Sequence, residues 1–122
     1  MKKRKLKRLK KDAMTIFSLY IRLRDNGVCF TCGVKKEIKQ MHAGHFKHHR
    51  LDFDETNRHA QCPGCNMFRN GRLDVYAARL IERYGEGIIQ TLDREANEIK
   101  KYSRGALELI IDHYTQKVKE LQ

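Results

Sequence analysis

Apolar residues recur at every third or fourth position along most of this chain, and the central part departs from that helical spacing. The first periodic stretch follows Asp12, a suitable helix cap, and stops before Gly27, where a helix end is expected. In the central part, residues 40–46 fit a short strand, and residues 57–61 lead through a strand or loop to a short helix starting near Pro63. The pattern predicts a mostly helical α+β fold.

The C-terminal half is predicted to be helical. Asn70-Gly71 should break the short helix, and Asp74 can cap the next one. A further helix is expected over residues 87–101, and Ser103 can cap the last. Apolar residues in that last helix alternate four and three positions apart, at Leu107, Ile111, Tyr114, Val118 and Leu121. Such a stripe usually packs in the core or on a neighbouring helix, and a dimer interface is the alternative.

Charge divides the chain into three parts. The 122 residues hold 26 Lys and Arg against 15 Asp and Glu, a net charge of +11. Residues 1–11 carry eight basic side chains and no acid, so like-charge repulsion predicts a tail that is disordered or loosely helical until it is neutralised. Residues 12–72 should form the core that carries the candidate site residues, together with its leading helix. Residues 73–122 should form a nearly neutral helical extension. The basic half is expected to meet a polyanion, most simply nucleic acid, although the tail alone fits a solubilising surface or a localisation signal.

The side chains expected to contact DNA lie in the tail, in the loop after the first predicted strand, and beyond the second cysteine pair. They are Lys2, Lys3, Arg4, Lys5, Lys7, Arg8, Lys47, His48, His49, Arg50, Arg69 and Arg72. No stretch approaches the roughly 18 apolar residues that a membrane span needs, and no apolar signal segment follows the basic start. We therefore expect no membrane partner and a cytoplasmic location.

All four cysteines fall in two Cys-x-x-Cys pairs. Cys29 and Cys32 form the first pair, Cys62 and Cys65 the second, and 29 residues separate them. This spacing is typical of a closed tetrahedral zinc site that stabilises a small fold. Two disulfides or free thiols are the alternatives, and a reducing compartment disfavours the disulfides.

Three residues near the cysteines have the chemistry that phosphodiester hydrolysis requires. His45 suits a general base, because neutral imidazole is present near pH 7. Asn66 follows the last cysteine, so its backbone would be held by the zinc site, and its amide oxygen suits Mg²⁺ or Mn²⁺. Asn57 can hydrogen-bond the backbone across a hairpin and keep His45 oriented. Together they indicate a ββα-metal nuclease site.

Five linked motifs resemble the HNH (His-Me finger) endonucleases, and specifically the phage NinG/Rap recombination endonuclease family. The motifs are Tyr20-Ile-Arg-Leu-Arg-Asp25, Cys29-x-x-Cys-Gly33, Ala43-Gly-His-Phe46, Asn57-x-His-x-Gln-Cys62-x-x-Cys65-Asn66 and Tyr76-x-x-x-Leu80-x-x-x-Tyr-Gly85. The resemblance covers nearly the whole chain after the basic tail. It implies a zinc-stabilised ββα-metal core with an N-terminal helix and C-terminal helices.

The resemblance also implies a function. It implies divalent-metal-dependent cleavage of branched DNA, such as Holliday junctions or D-loops, by a phage or prophage protein in a bacterial host cell. His45 would be the general base, with Asn57 in support, and Asn66 would bind catalytic Mg²⁺ or Mn²⁺. Because junction cleavage needs paired incisions, we also expect a homodimer.

One position departs from the HNH pattern. Where these enzymes commonly place an acid or a histidine just before the base, as a second metal ligand, this chain has Gly44. His42 is near on the strand and can substitute, as can Asn70, one helical turn beyond Asn66. The alternative function is a non-catalytic zinc-containing nucleic-acid-binding protein, and a dimeric adaptor with a basic anchor is a weaker third.

Overall fold

The computed structural model describes residues 3–47, 51–98 and 101–122. Within these residues the fold is mostly helical α+β, with four α-helices and one two-stranded antiparallel sheet. In chain order the elements are α1 (Leu6–Arg24), β1 (His42–His45), β2 (Arg58–Gln61), α2 (Leu73–Tyr84), α3 (Ile88–Ala96) and α4 (Arg104–Leu121). No helix in this described part of the chain is long and apolar enough to cross a membrane.

Helix α1 begins at Leu6, so the predicted start at Asp12 is wrong. Asp12 lies inside the helix, where its carboxylate pairs with Arg4 at 2.7 Å and with Arg8 at 3.0 Å. These ion pairs offset part of the repulsion that predicted disorder, and Leu9 adds a fully buried side chain to the same turns. Residues 6–11 are therefore helical.

Helix α4 packs its apolar stripe on α1. The predicted cap is confirmed, because the Ser103 hydroxyl accepts a hydrogen bond from a first-turn backbone N–H at 3.1 Å. Leu107 packs against Leu9, and Tyr114 packs edge-on against Phe17 with ring centroids 4.8 Å apart. The stripe therefore packs mainly in the core of one chain. The homodimer stays a prediction, and the α4 stripe is no longer its main support.

The hairpin forms as the sequence predicts, and its register decides which side chains meet. In the antiparallel pairing, His42 lies opposite Gln61 and Gly44 lies opposite His59. Because side chains alternate between the two faces of a sheet, these four positions share one face. His45 belongs to the other alternating set.

Helix α1 is tied to the hairpin by Arg24 and Asp25. The Arg24 guanidinium donates to the backbone oxygens of Glu55 and Arg58, each at 2.9 Å, and pairs with Asp25. The Asp25 carboxylate in turn accepts a 2.8 Å hydrogen bond from the Ala60 N–H in β2. The Arg-Asp part of the first motif thus has a structural role.

A single wide helical turn, Gly64–Phe68, contains Cys65 of the second cysteine pair and begins close to the predicted start. The predicted break is confirmed, since the backbone takes positive φ at Asn70, Gly71 and Arg72. Helix α2 then starts at Leu73, with Asp74 in its first turn and not at the cap. Helix α3 ends at Ala96, well before the predicted residue 101.

Candidate functional site

The two Cys-x-x-Cys turns bring the four thiols together. The sulfurs of Cys29, Cys32, Cys62 and Cys65 all lie within 4.8 Å of one another, and none is in a disulfide. The Cys32 and Cys62 sulfurs are 3.7 Å apart. Tetrahedral coordination with metal–sulfur bonds of ~2.3 Å places sulfurs ~3.8 Å apart, so the cluster fits a metal such as zinc.

Hydrogen bonding within the cluster favours thiolate at one of the cysteines. Burial opposes ionisation of Cys29, but hydrogen bonds from the Thr31 hydroxyl and neighbouring backbone outweigh it and lower the pKa to about 6. Burial, with hydrogen bonds shared among the thiols, raises the pKa of Cys32 to about 12. Metal binding would therefore displace protons from the cluster.

Beside this cluster, the turn that follows Cys65 meets the start of β1. The side-chain amide nitrogen of Asn66 lies 2.8 Å from Nδ1 of His42. Both side chains are half-buried, and Asn66 is held from its backbone as well, because its N–H donates to the Cys62 oxygen at 2.9 Å. The structure therefore joins two of the residues that the sequence nominated for one metal.

Gly44 lies between these side chains and the core of the hairpin. A Cβ at this position would stand 3.1 Å from Oδ1 of Asn66 and only 1.9 Å from Oε1 of Gln61. Any larger residue would therefore displace the Gln61 side chain. His45 follows at the end of β1 and is partly buried.

Asn57 is fully buried and holds the backbone just beyond His45. Its Oδ1 accepts from the Lys47 N–H at 2.7 Å, and its Nδ2 donates to the Lys47 oxygen at 2.9 Å. The Asn57 backbone oxygen also accepts from the Phe46 N–H at 2.9 Å. The predicted hydrogen bonding across the hairpin is thus present, and it reaches main-chain atoms one and two residues after His45.

His59 is a buried structural residue. Its ring stacks on Phe30 with centroids 3.9 Å apart, Nδ1 lies 3.2 Å from the Tyr76 hydroxyl, and Nε2 lies 2.8 Å from the Tyr84 hydroxyl. Tyr76 donates its proton to the Gly44 oxygen at 2.8 Å, so it must accept from His59. Burial lowers the pKa of His59 to about 3, which keeps the imidazole neutral.

The hydrogen-bond chain through His59 links helix α2 to β1, and sequence reasoning missed it. The Tyr76 and Tyr84 positions stood in one motif, but nothing in the sequence assigned their hydroxyls to His59. Phe30, inside the first cysteine turn, also stacks on the same imidazole. This hydrogen-bond chain, with Phe30 stacked on its imidazole, therefore connects the first cysteine turn with the backbone beside His45.

Asn70, the other predicted ligand of the catalytic metal, does not lie where the sequence predicted it. The turn that carries Asn66 ends at Phe68, so Asn70 does not lie one helical turn farther along the same helix. Asn70 is exposed and takes φ 51° at the chain reversal. The spacing that suggested it as a ligand is therefore not realised.

The predicted DNA contacts in the described part of the chain are mostly exposed. Those in the basic segment, Lys3, Arg4, Lys5, Lys7 and Arg8, lie on the surface at the start of α1, and Arg69 is exposed beyond Asn66. Lys47 is paired with Asp93 of α3. Lys2, His48, His49 and Arg50 lie outside the described residues.

Comparison with known proteins gives a consistent set of relatives. A family model described as "Bacteriophage Lambda NinG protein" matches residues 1–122. "Protein ninG" of Salmonella phage P22 is 32% identical over 117 residues, which cover 92% of this chain and 57% of that protein. "Protein ninG" of Escherichia phage lambda is 31% identical over 117 residues, which cover 92% of this chain and 56% of that protein. No solved structure matches the chain.

The chain spans just over half the length of these curated relatives. Within that span, the family model covers the cysteine cluster, the hairpin and the helices on either side. The match is thus to the sequence as a whole and not to the two cysteine pairs alone. The chain belongs to the NinG family of phage lambda-like proteins.

Proposed function

We propose that this protein is a divalent-metal-dependent DNA endonuclease of the HNH type, acting on branched recombination intermediates such as Holliday junctions and D-loops. It would work in the cytoplasm of a bacterial host cell, as a homodimer that makes paired incisions. The observation that supports it most is the 2.8 Å contact between Asn66 and His42 at the strand that ends in His45. The contact supports a metal site, because it brings an amide side chain and an imidazole together on the strand that carries the predicted base.

In this proposal the four thiolates hold a structural zinc ion. The donor set supports that identity, because closed four-cysteine clusters of this size prefer zinc, and the amide oxygen of Asn66 prefers magnesium or manganese. Zinc fixes the turn that carries Asn66, since the residue follows Cys65 directly. The structural ion and the catalytic ion thus have separate ligands.

His45 takes a proton from the attacking water. The water oxygen forms a new bond to phosphorus, one ester P–O bond breaks, and the departing oxygen gains a proton from solvent. Asn66 would hold the divalent cation, which would supply positive charge against the negative charge that develops on the phosphate. Asn57 fixes the backbone after His45 through Lys47, which keeps the imidazole in position.

The test is cleavage of a synthetic four-way DNA junction in Mg²⁺ or Mn²⁺. His45→Ala should lower the rate at least about 100-fold, the usual scale of general-base catalysis, while zinc content and folding stay unchanged. His113→Ala, on α4, is the matched control and should cleave like the unmodified protein. Metal-dependent nicking that survives His45→Ala would contradict the assignment.

A second function is favoured by the exposed basic residues on the first turns of α1. A non-catalytic zinc-containing nucleic-acid-binding protein would bind DNA with an affinity that falls steeply as salt rises. It would cleave no DNA in any divalent metal. Salt-dependent binding without cleavage would therefore select this alternative, and cleavage would exclude it.

A further inference from the structure

Gln61 carries a buried oxygen that no group in the described part of the chain satisfies. The residue is 0% exposed, and its Oε1 has no hydrogen-bond partner among residues 3–47, 51–98 and 101–122. Buried polar atoms are nearly always paired, since leaving one unpaired costs about 1–3 kcal/mol. An unpaired amide oxygen therefore points to a ligand or a water molecule at that place.

The orientation of this amide is fixed by its other end. Nε2 donates to the Gly71 oxygen at 2.8 Å and lies 3.2 Å from the Thr31 hydroxyl. A carbonyl oxygen accepts only from a donor, so the nitrogen must face Gly71 and the oxygen must face away from it. Rotating the amide would place two oxygens against each other.

The side-chain oxygen of Gln61 lies against Gly44. Oε1 of Gln61 and Oδ1 of Asn66 both lie near the point where a Cβ of residue 44 would stand, at 1.9 and 3.1 Å. His42 is the cross-strand partner of Gln61 and touches the Asn66 amide at 2.8 Å. Two amide oxygens thus lie near a position that has no side chain of its own, and an imidazole contacts the nitrogen end of one of these amides.

We propose that Gln61 is a ligand of the divalent cation, through Oε1, together with Asn66 and His42. This inference rests on the proposed function and supplies the ligand that Gly44 leaves out. The Gln61 side chain, from β2, occupies the volume that an acidic residue at position 44 of β1 would fill. Hard amide oxygens suit magnesium and manganese, and the site is neutral where a carboxylate would make it negative.

The first experiment measures Mn²⁺ binding to the zinc-loaded protein by electron paramagnetic resonance. Gln61→Met keeps the length of the side chain and removes the oxygen, and it should weaken Mn²⁺ binding at least about tenfold. Gln90→Met makes the same chemical change at an exposed position of α3 and should leave binding unchanged. Zinc content and circular dichroism verify that each variant is folded.

A compensating variant separates a ligand from a merely structural glutamine. Gly44→Asp alone should clash with Gln61, whereas Gly44→Asp combined with Gln61→Ala has room for the carboxylate. The double variant should recover Mn²⁺ binding that Gln61→Ala alone has lost. Mn²⁺ should also broaden the NMR signals of His42 and Asn66 in the unmodified protein and not in Gln61→Met.

The outcomes distinguish this inference from the proposed function. Unchanged Mn²⁺ binding in folded Gln61→Met overturns the ligand role, even if the unmodified protein cleaves junctions. Absence of Mn²⁺ binding in the unmodified protein overturns it as well. If Gln61→Met does not fold, a folded double variant that binds no Mn²⁺ overturns the inference. Binding through Gln61 without any cleavage supports the cation site and contradicts the nuclease.

Discussion

Asn57 holds main-chain atoms of the residue that lies two positions after His45. With both ends of its amide it pairs the N–H and the oxygen of Lys47, in a position with no exposure to solvent. Such pairing substitutes for strand hydrogen bonds where the chain leaves β1. At the residue scale, one buried carboxamide therefore fixes the main chain of Lys47, just beyond the end of β1.

Asn57→Ala should destabilise the protein by about 2–4 kcal/mol, because both Lys47 main-chain groups lose their partner in a buried place. Urea denaturation measures the change. Asn57→Asp keeps the acceptor for the Lys47 N–H but puts a buried carboxylate oxygen against the Lys47 oxygen, so it should not restore the lost stability. Equal stability of Asn57→Ala and the unmodified protein would contradict this role.

At the scale of elements, the α1–α4 pair forms a core separate from the cysteine cluster. Leu107 is 1% exposed and packs against Leu9 and Ala13, whereas Leu109, two residues on, is 70% exposed. The two leucines lie on one helix and differ in what surrounds them. Because Leu→Ala changes helix propensity equally at both positions, the difference between the two variants measures packing.

Leu107→Ala should lower the free energy of unfolding by about 2–5 kcal/mol, since it removes buried apolar area and leaves a cavity. Leu109→Ala, the matched control, should change it by less than about 0.5 kcal/mol. Thermal and urea denaturation of both variants provide the comparison. A large loss in Leu109→Ala would instead show that α4 buries its outer face against another molecule.

Sequence patterns predicted the helices and the hairpin because their evidence is local. The Ser103 cap and the Asn70-Gly71 break depend on neighbouring residues, and both are confirmed. The start of α1 was wrong because Arg4 and Arg8 reach Asp12 from the preceding turns. The number of basic side chains in residues 1–11 does not by itself reveal these ion pairs.

The candidate site was predicted less completely, because its contacts join distant segments. The cysteine spacing was enough to place four sulfurs together. For the second metal ligand the sequence left His42 and Asn70 open, and the structure shows a contact of His42 with Asn66. Gln61 was visible only as part of a motif, because its unpaired oxygen exists only once the two strands pair.

At the scale of the whole molecule, the cysteine cluster connects segments that lie far apart in the chain. It joins the turn after α1 to the turn after β2, and the Thr31 hydroxyl lies against both Cys29 and Gln61. A metal there would hold the first cysteine turn against the end of β2. Folding of the hairpin and metal binding should therefore be coupled.

Zinc removal should unfold the hairpin core. A strong chelator, or Cys62→Ser, should abolish the cooperative transition in thermal denaturation, and metal analysis should find one zinc ion per chain before treatment. Thr31→Ser keeps the hydroxyl beside Cys29 and should retain the metal. A chain that still unfolds cooperatively after its metal is gone would rule out a structural role.

The hairpin register also affects how such proteins can be found in sequence collections. His42 and Gln61 are neighbours across two strands, although they are far apart in the chain. A search pattern that requires an acid immediately before the histidine reads along one strand and would reject this protein at Gly44. A pattern written for pairs of facing positions would accept it. Such a pattern would also group together chains in which the second strand supplies the metal ligand that the first strand lacks, as we propose for Gln61.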